Sequence, residues 1–311
     1  MIRAATAADV GNWIALAVSM AEYYPGLDPE SHARIVEKCA VSGEALAAEW
    51  DSRFAGGLLF ARKRRELSFL MVAPWARRHG LGRALVGRMR EEFPRGETVS
   101  VTTYRADDPL GAAAGPFYAA LGFVPGEDVT AHGHSERKMT LFIPLETEQL
   151  LIRPFRDADF PAFFALLDSP ELPDWGIQRP CARSFFESQI ENARIMDAQG
   201  GACLGLFEKS TGALVGAAGV RRRDLGEAEV FLFLLPEYRR RGCATEACRA
   251  ATDWALARFS LKRIICTASA DDAASRRVLE KCGYRLAGGR TPDGHAAETY
   301  HLFAHDREEH P

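Results

Sequence analysis

Two short stretches of this chain combine basic residues with glycine in a way that suits an anion: Arg77-Arg78-His79-Gly80-Leu81-Gly82 and, in the second half, Arg239-Arg240-Arg241-Gly242-Cys243-Ala244. Each has a basic residue, two spacers, a glycine, one further residue and a second small residue. That pattern makes a tight turn in which nothing larger than glycine or alanine blocks a ligand from the first N–H groups of the next helix. Those N–H groups, the positive end of the helix dipole and the flanking arginines together favour a diphosphate. Arg83 and Thr245, just beyond the two turns, belong to the same binding set. A third residue with chemical potential is Glu229, a carboxylate in an otherwise apolar run. A charge there needs a reason, either as a base for an amine or as a strand-end group reaching water.

The flanking elements repeat as well. Each turn follows an apolar, strand-like run ending in proline, Leu67 to Pro74 and Val230 to Pro236, and opens an amphipathic helix, Arg83 to Phe93 and Thr245 to Phe259. Each is followed by a similar tail, Phe117-Tyr118-Ala119-Ala120-Leu121-Gly122-Phe123 and Val278-Leu279-Glu280-Lys281-Cys282-Gly283-Tyr284. A single glycine turn reads equally as a plain strand-to-helix connection. Two copies in the same context do not.

This arrangement resembles the Gcn5-related N-acetyltransferase (GNAT) superfamily, whose Arg/Gln-x-x-Gly-x-Gly/Ala turn grips the pyrophosphate of acetyl-CoA. The resemblance covers nearly the whole chain as two tandem copies. It implies an α/β fold: two domains, 1–145 and 146–311, each a mixed, mostly antiparallel sheet flanked by helices, with a splayed central strand pair. Ala228-Glu229-Val230, Pro236-Glu237-Tyr238, Ala244-Thr245-Glu246-Ala247 and Ser275 to Lys281 further resemble the Rim-type ribosomal-protein N-terminal acetyltransferases. The first half resembles general small-molecule members of the superfamily.

What the resemblance implies for the site follows residue by residue. Acetyl-CoA is the expected co-substrate, and a small-molecule or peptide amine the expected acceptor. The sheet is expected to open where strands 67–73 and 99–104 diverge. Backbone N–H groups near Met71 and Val72, and near Leu234 and Leu235, then hold the pantetheine arm and polarise the thioester carbonyl. Tyr118 stands where the resemblance places the general acid for the departing thiolate, and it also reads as a buried aromatic beside Phe117. The corresponding residue in the second half is Leu279, which cannot donate a proton. Ser275 is a substitute donor, a helix cap or a CoA contact. Asp272 replaces the subgroup's usual asparagine. Cys243, beside arginines at a helix start, is either packing filler or a thiol of lowered pKa. The base of the first half is open: Asp107 and Asp108 lie near the opening or cap a turn, and Glu66 is expected to face away from Leu67. The leading reading is a tandem acetyl-CoA-dependent N-acetyltransferase acting by direct attack of a primary amine; the alternative is that one half is a non-catalytic, acetyl-CoA-binding or scaffolding module supporting a single active half.

Composition narrows the class. The chain has 311 residues, enough for two domains that each bury a core. Hydrophobic residues make up 47% and charged residues 26%, and the formal charge is −3. Neither half has the basic excess of a nucleic-acid binder. No apolar run approaches a membrane span, and Met1-Ile2-Arg3-Ala4 enters a strand without a signal-peptide core. Seven cysteines without a Cys-x-x-Cys pair fit a reducing cytoplasm, not a disulfide framework or a structural zinc. His132-Gly133-His134 has metal-like spacing with no third ligand nearby and reads as loop, so no metal is expected. A monomer or homodimer is expected.

Along the chain, Thr6-Ala7-Ala8-Asp9 starts a helix running to about Met20, and a second helix spans Ser31 to Val41. This helical region shapes the acceptor pocket on the family reading. Tyr23 and Tyr24 either line that pocket or pack beside a turn. Ala45 to Trp50 and Phe54 to Ala61 read as a hairpin, with Arg62-Lys63-Arg64-Arg65 as a solvated tip or an acidic partner's contact. Thr98 to Tyr104 and Met139 to Ile143 are further strands, and Ala112 to Leu121 a short helix. The second half restarts at Thr147 to Pro154, with helices over the Phe160–Leu167 face and 182–198, and a hairpin of Leu204 to Glu208 and Leu214 to Val220. Strand 228–235, helix 244–259, strand 263–269, helix 273–282, a turn at Asp293-Gly294 and a strand at Thr299 to Ala304 complete it. No flexible linker separates the halves, so limited relative motion is expected.

Overall fold

A computed structural model describes residues 1–105, 107–109, 111–131, 134–167, 179–196, 200–224, 226–288 and 297–304. The chain divides into two compact units, Met1–Ile143 and Pro144–Pro311.

In the first unit, alternation along the strands sends side chains to two different cores. Leu46, Ala48, Leu58 and Phe60 point to one face, whereas Ala45, Ala47 and Leu59 point to the other. The strands concerned are β1 (Ile2–Ala4), β2 (Ala45–Trp50), β3 (Arg53–Ala61), β4 (Glu66–Val72), β5 (Thr98–Tyr104), β6 (Val124–Ala131) and β7 (His134–Phe142). They form a sheet in the order β1-β2-β3-β4-β5-β7-β6. Helices α1 (Val10–Ser19) and α2 (Pro29–Val41) contribute Trp13, Ala17 and Val36 to one core. Helix α3 (Leu81–Arg90) contributes Leu81, Leu85, Val86 and Met89 to the other, with Tyr118 from α4 (Gly111–Ala120).

The sheet is antiparallel except at β4 and β5, which run parallel and pair only at Glu66 with Ser100 and Leu67 with Val101 among the described residues. Beyond that point they diverge. A bulge on β4 coincides with the divergence: Leu59 lies opposite Phe69 and Phe60 opposite Leu67, leaving Ser68 as the extra residue. Strict alternation would put Leu67, Phe69 and Met71 on one face. The bulge instead leaves Leu67 in the α3 core and sends Phe69 and Met71 to the α1/α2 core.

The second unit has strands β8 (Leu145–Glu146), β9 (Leu150–Arg153), β10 (Ala202–Glu208), β11 (Leu214–Asp224), β12 (Glu227–Leu234), β13 (Arg263–Ser269), β14 (Arg285–Gly288) and β15 (Ala297–Phe303). Their order is β14-β15-β13-β12-β11-β10-β9-β8. Helices α5 (Phe160–Leu166) and α6 (Ala182–Arg194) close an aromatic core of Phe155, Phe163, Phe186, Phe207 and Phe233. Helix α7 (Cys243–Arg258) buries mainly small residues, including Ala247, Cys248, Ala251 and Ala255, which let it pack closely on the sheet. Helix α8 (Ala273–Lys281) follows β13. Again one parallel pair, β12 with β13, is bonded from Glu227 to Glu229 and no further among the described residues.

A second repeat lies at the start of each unit. Arg3 grips Asp9 through two guanidinium nitrogens at 2.8 and 2.7 Å, and Arg153 grips Asp159 at 2.7 and 3.0 Å. The Arg3 hydrogen bonds hold the Asp9 carboxyl down at about 2. Its contribution to stability is therefore present above the ordinary carboxylate range and lost as pH falls toward 2.

The sequence reading missed β6 and β14, which are edge strands of mixed polarity. The turn expected at Asp293-Gly294 lies outside the described residues, as does His132-Gly133-His134 apart from the His134 backbone. No described helix is long and apolar enough to cross a membrane.

Candidate active site

Both glycine turns adopt the same backbone geometry. Gly80 has φ +79° and Gly242 φ +89°, each as the residue that caps its helix. Two residues earlier, Arg78 (φ +69°) and Arg240 (φ +62°) are also left-handed, a conformation uncommon for a side-chain-bearing residue. Left-handed positions two apart turn successive N–H groups inward and make a concave anion site. The N–H groups of Leu81, Gly82 and Arg83, and of Cys243, Ala244 and Thr245, have no partner among the described residues. A Cβ at Gly80 would meet no atom within 4 Å, so the space above the turn is open. At Gly82 a Cβ would come 3.0 Å from the Phe117 ring, which explains the small residue there.

The first basic residue of each turn does something the sequence did not indicate. Arg77 Nε donates to the Val72 carbonyl at 3.3 Å, and Arg239 Nε to the Leu234 carbonyl at 3.2 Å. The Arg77 guanidinium also lies over the Tyr23 ring, 5.0 Å from its centre. These arginines tie turn to strand. Arg78 and Arg83 line the cavity from the turn and are exposed. His79 is in the turn by its backbone, while its ring packs on Trp50, 4.4 Å between centres. In the second unit Gln149 fixes the turn, donating to the Arg241 carbonyl at 2.9 Å and to Glu246 at 2.7 Å.

The strand edges correct two of the expected donors. Ala73 N–H bonds to Ala55 in β3, so Met71, two residues back and opposite Gly57, also spends its N–H on that ladder. Val72 and Leu70 turn their backbone groups to the opening instead. Likewise Leu235 N–H bonds to the Val215 carbonyl at 2.9 Å, which leaves Leu234 facing the opening. In the first unit, Tyr24 hydroxyl takes the Leu70 carbonyl at 2.8 Å.

A cavity of about 800 Å³ joins these parts in the first unit. It runs from Gly80, Gly82 and Arg83 past Val72 and Leu70 to Tyr118, with Tyr23, Tyr24 and Phe69 on its far wall. Both tyrosines whose role the sequence left open are thus cavity residues. Tyr118 is 7% exposed, edge-on to Phe117 and Phe123, and its hydroxyl has no hydrogen-bond partner among the described residues. Burial pushes the phenol well above its ordinary range, so it stays protonated near neutrality. Glu136 from β7, which the sequence reading passed over, is also a buried lining residue. Asp107 and Asp108 are not among the residues that line the cavity.

The second unit repeats the scaffold with different side chains. Phe123 N–H closes the α4 tail on the Tyr118 carbonyl, and Tyr284 N–H closes the α8 tail on the Leu279 carbonyl, each at 3.0 Å. Leu279 therefore occupies the Tyr118 position. Ser275 donates its hydroxyl to Asp272 at 2.6 Å, and Asp272 caps α8 by accepting from the Ala274 and Ser275 N–H groups. Burial works against the Asp272 charge, but these bonds and nearby Arg239 keep its carboxyl below the usual range. Glu229 sits at the last bonded rung before β12 and β13 part. It is buried, and Arg223 and Arg221 reach it at 2.6 and 3.6 Å. Those arginines supply the reason for a charge on an apolar strand. Cys243, left open by the sequence, fits the packing alternative: it is 4% exposed, and burial together with Glu246 pushes its thiol up, against the low pKa of a reactive cysteine. It is packing filler.

A sheet that splays at its one parallel pair, with a left-handed glycine turn at the foot of the opening and a protonated phenol across it, defines an acyltransferase architecture in the first unit, and the second unit repeats the sheet and turn with Leu279 in place of the phenol. The chain belongs to the GNAT acetyltransferase family: profiles described as Acetyltransferase (GNAT) domain match residues 22–141 and 149–285. It is similar to an uncharacterized N-acetyltransferase, YoaA, of Bacillus subtilis, 27% identical over 152 residues, or 48% of this chain and 86% of that one. Among solved structures it is similar to an acetyltransferase from Agrobacterium tumefaciens (25% identity, 57% of this chain and 99% of that one, TM-score 0.45). It is also similar to RimJ of Mycobacterium smegmatis in complex with CoA-disulfide (21% identity, 52% and 84%, TM-score 0.44).

Proposed function

We propose that the chain moves the acetyl group of acetyl-CoA to a primary amine by direct attack, with the reacting centre in the Met1–Ile143 unit. The main support is the cavity in which the glycine turn, the donor edge of β4 and Tyr118 converge. Acetyl-CoA supplies the activated thioester. The N–H groups of Leu81, Gly82 and Arg83 receive its diphosphate, flanked by Arg78 and Arg83. The Leu70 and Val72 N–H groups hold pantetheine carbonyls and stabilise charge developing on the thioester oxygen. As the amine nitrogen bonds to the carbonyl carbon, the C–S bond breaks and its electron pair stays on sulfur. The Tyr118 phenol gives that sulfur a proton, and the proton shed by nitrogen returns to the phenolate through solvent. A screen for CoA release across aminoglycosides, polyamines, amino acids, arylalkylamines and peptide amino termini tests the reading. No release above hydrolysis with any of them would sink it.

A second reading is favoured for the Pro144–Pro311 unit, that of a cofactor-binding module without its own chemistry. Leu279 has no proton to give, Ser275 has committed its hydroxyl to Asp272, and Glu229 is held by two arginines. Glu229→Gln keeps the shape and an acceptor for Arg223. Turnover by the whole chain is expected to stay within about threefold of the parent, whereas loss of a working base costs ~10²-fold or more. A hundredfold fall with acetyl-CoA affinity intact would restore Glu229 as a base and the second unit as catalytic.

A further inference from the structure

One wall of the first-unit cavity is built of rings. Phe69 is flanked by Tyr24, 4.7 Å between ring centres, and by His32, 4.6 Å. His32 accepts the Trp13 indole N–H at 3.1 Å and Tyr24 donates to the Leu70 carbonyl, so the wall is held in place. Met20 and Tyr23 extend it. The charge beside this wall is positive. The Arg77 guanidinium lies over the Tyr23 ring, 5.0 Å from its centre. Arg78 and Arg83, also lining residues, flank the diphosphate in the reading above, which leaves the Arg77 charge next to the rings.

The same cavity is poorly equipped to strip a proton from an ammonium. Burial pushes the Tyr24, Tyr104 and Tyr118 phenols above their ordinary range, and at Tyr24 the Arg77 charge opposes this only in part, so all three are protonated near neutrality. Glu136 is the carboxylate among the described lining residues, and it is already engaged within the protein. An alkylamine, mostly ammonium at pH 7, would therefore meet a cation beside the rings and no unengaged base among the described lining residues.

We infer that the acceptor of the first unit is an arylamine, a primary amine uncharged at neutral pH, with its ring against Tyr23, Tyr24 and Phe69. This rests on the acetyl-transfer reading above. In an arylamine the nitrogen lone pair is shared with the ring, which keeps the nitrogen unprotonated at pH 7, and the flat ring packs on the aromatic wall. No prior deprotonation is needed. The lone pair bonds to the thioester carbonyl carbon, the C–S bond breaks with its electron pair left on sulfur, and Tyr118 gives the sulfur its proton. Nitrogen becomes acidic once it carries the new bond, and one of its two protons passes through solvent to the Tyr118 phenolate. The products are an N-aryl acetamide and the CoA thiol.

Two isomeric amines separate charge from shape: 4-methylaniline is neutral at pH 7 and benzylamine is a cation, with the same atoms and nearly the same outline. CoA release by the full chain is measured with each from pH 6 to 8, alongside acetyl-CoA titration calorimetry. With 4-methylaniline, kcat/KM is expected to stay within about threefold across that range, and at pH 6 to exceed the benzylamine value by about 10-fold or more. Benzylamine is expected to react through its neutral fraction alone, so its kcat/KM rises about 10-fold per pH unit. Arg77→Gln keeps a donor for the Val72 carbonyl and removes the cation. It is expected to lower the KM of benzylamine relative to that of 4-methylaniline by about fivefold or more, whereas a purely structural role would move both together. No release with 4-methylaniline above the uncatalysed rate, a benzylamine kcat/KM that is flat with pH, or an unchanged KM ratio in Arg77→Gln would overturn this inference while acetyl-CoA binding persists. Failure of the first unit to bind acetyl-CoA would overturn the acetyl-transfer reading with it.

Discussion

Replacing Tyr118 by phenylalanine is expected to lower turnover by the first unit ~10²–10⁴-fold, the usual cost of losing a general acid. The substitution removes one oxygen and keeps the ring that packs edge-on between Phe117 and Phe123, 5.3 Å from each. That oxygen has no hydrogen-bond partner among the described residues, so folding should hardly notice its loss. Acetyl-CoA affinity should also be unchanged, since the diphosphate cradle lies at the other end of the cavity. Burial raises the phenol above its ordinary range, and an acid must be protonated to act. The parent's rate should therefore show no alkaline fall from this group until pH passes the ordinary phenol value of about 10. The assay belongs in a full chain carrying Gly242→Val, so that the second unit cannot mask the effect. Full activity of Tyr118→Phe in that background would make Tyr118 a core aromatic and leave the proton to solvent.

Acetyl-CoA titration of the parent is expected to find two sites per chain, and Gly80→Val and Gly242→Val each to remove one of them. Two effects combine at these positions. At Gly80 a side chain would occupy the open space above the N–H cradle, at Gly242 its Cβ would meet Gln149 Nε2 at 3.6 Å and Glu246 Oε1 at 4.0 Å, and a branched residue cannot rest easily at φ +79° or +89°. Binding at the altered turn should weaken by about 100-fold or more, equivalent to ~3 kcal/mol. Gly80→Asn separates the two causes, because asparagine tolerates the left-handed region while still filling the cradle. It should weaken binding nearly as much with little change in melting temperature. Retention of two full-affinity sites in Gly80→Asn would mean that the diphosphate is held elsewhere.

The tandem architecture was legible in the sequence because it rests on local features that repeat: proline-ended strands, glycine turns and amphipathic helices. The cradle was legible for the same reason. What escaped depends on where side chains point after the chain has folded. The bulge at Ser68 inverts the strand's alternation, and no residue type there announces it, so Met71 was read as an open-edge donor when Val72 and Leu70 hold that position. Arg77 and Arg239 suit an anion by charge, and the sequence did not show that their length also lets each fold its Nε back on a strand carbonyl. Glu229 looked isolated on an apolar strand because its partners, Arg221 and Arg223, come from the neighbouring strand. Glu136 was missed because the expected strand began only at Met139, whereas β7 starts at His134, and the pairing of Glu136 with Tyr104 places it beside the opening. The paired Arg3–Asp9 and Arg153–Asp159 grips did have a sequence signal, an arginine six residues before an aspartate in both halves.

The opening between β4 and β5 is bare sheet edge, and bare edges invite other strands. A zipping strand needs alternating donors and acceptors from its partner. Here both carbonyls that face the opening are already consumed from within, Leu70 by the Tyr24 hydroxyl and Val72 by Arg77. What remains on the β4 edge is mainly donors. A ligand that brings carbonyl oxygens can satisfy that edge, whereas an intruding peptide backbone would have to compete with Tyr24 and Arg77 for its acceptors. The same two bonds that leave this edge to acceptor-bearing ligands thereby guard it against edge-to-edge pairing. Loss of either Tyr24 or Arg77 should be felt as self-association as well as in catalysis.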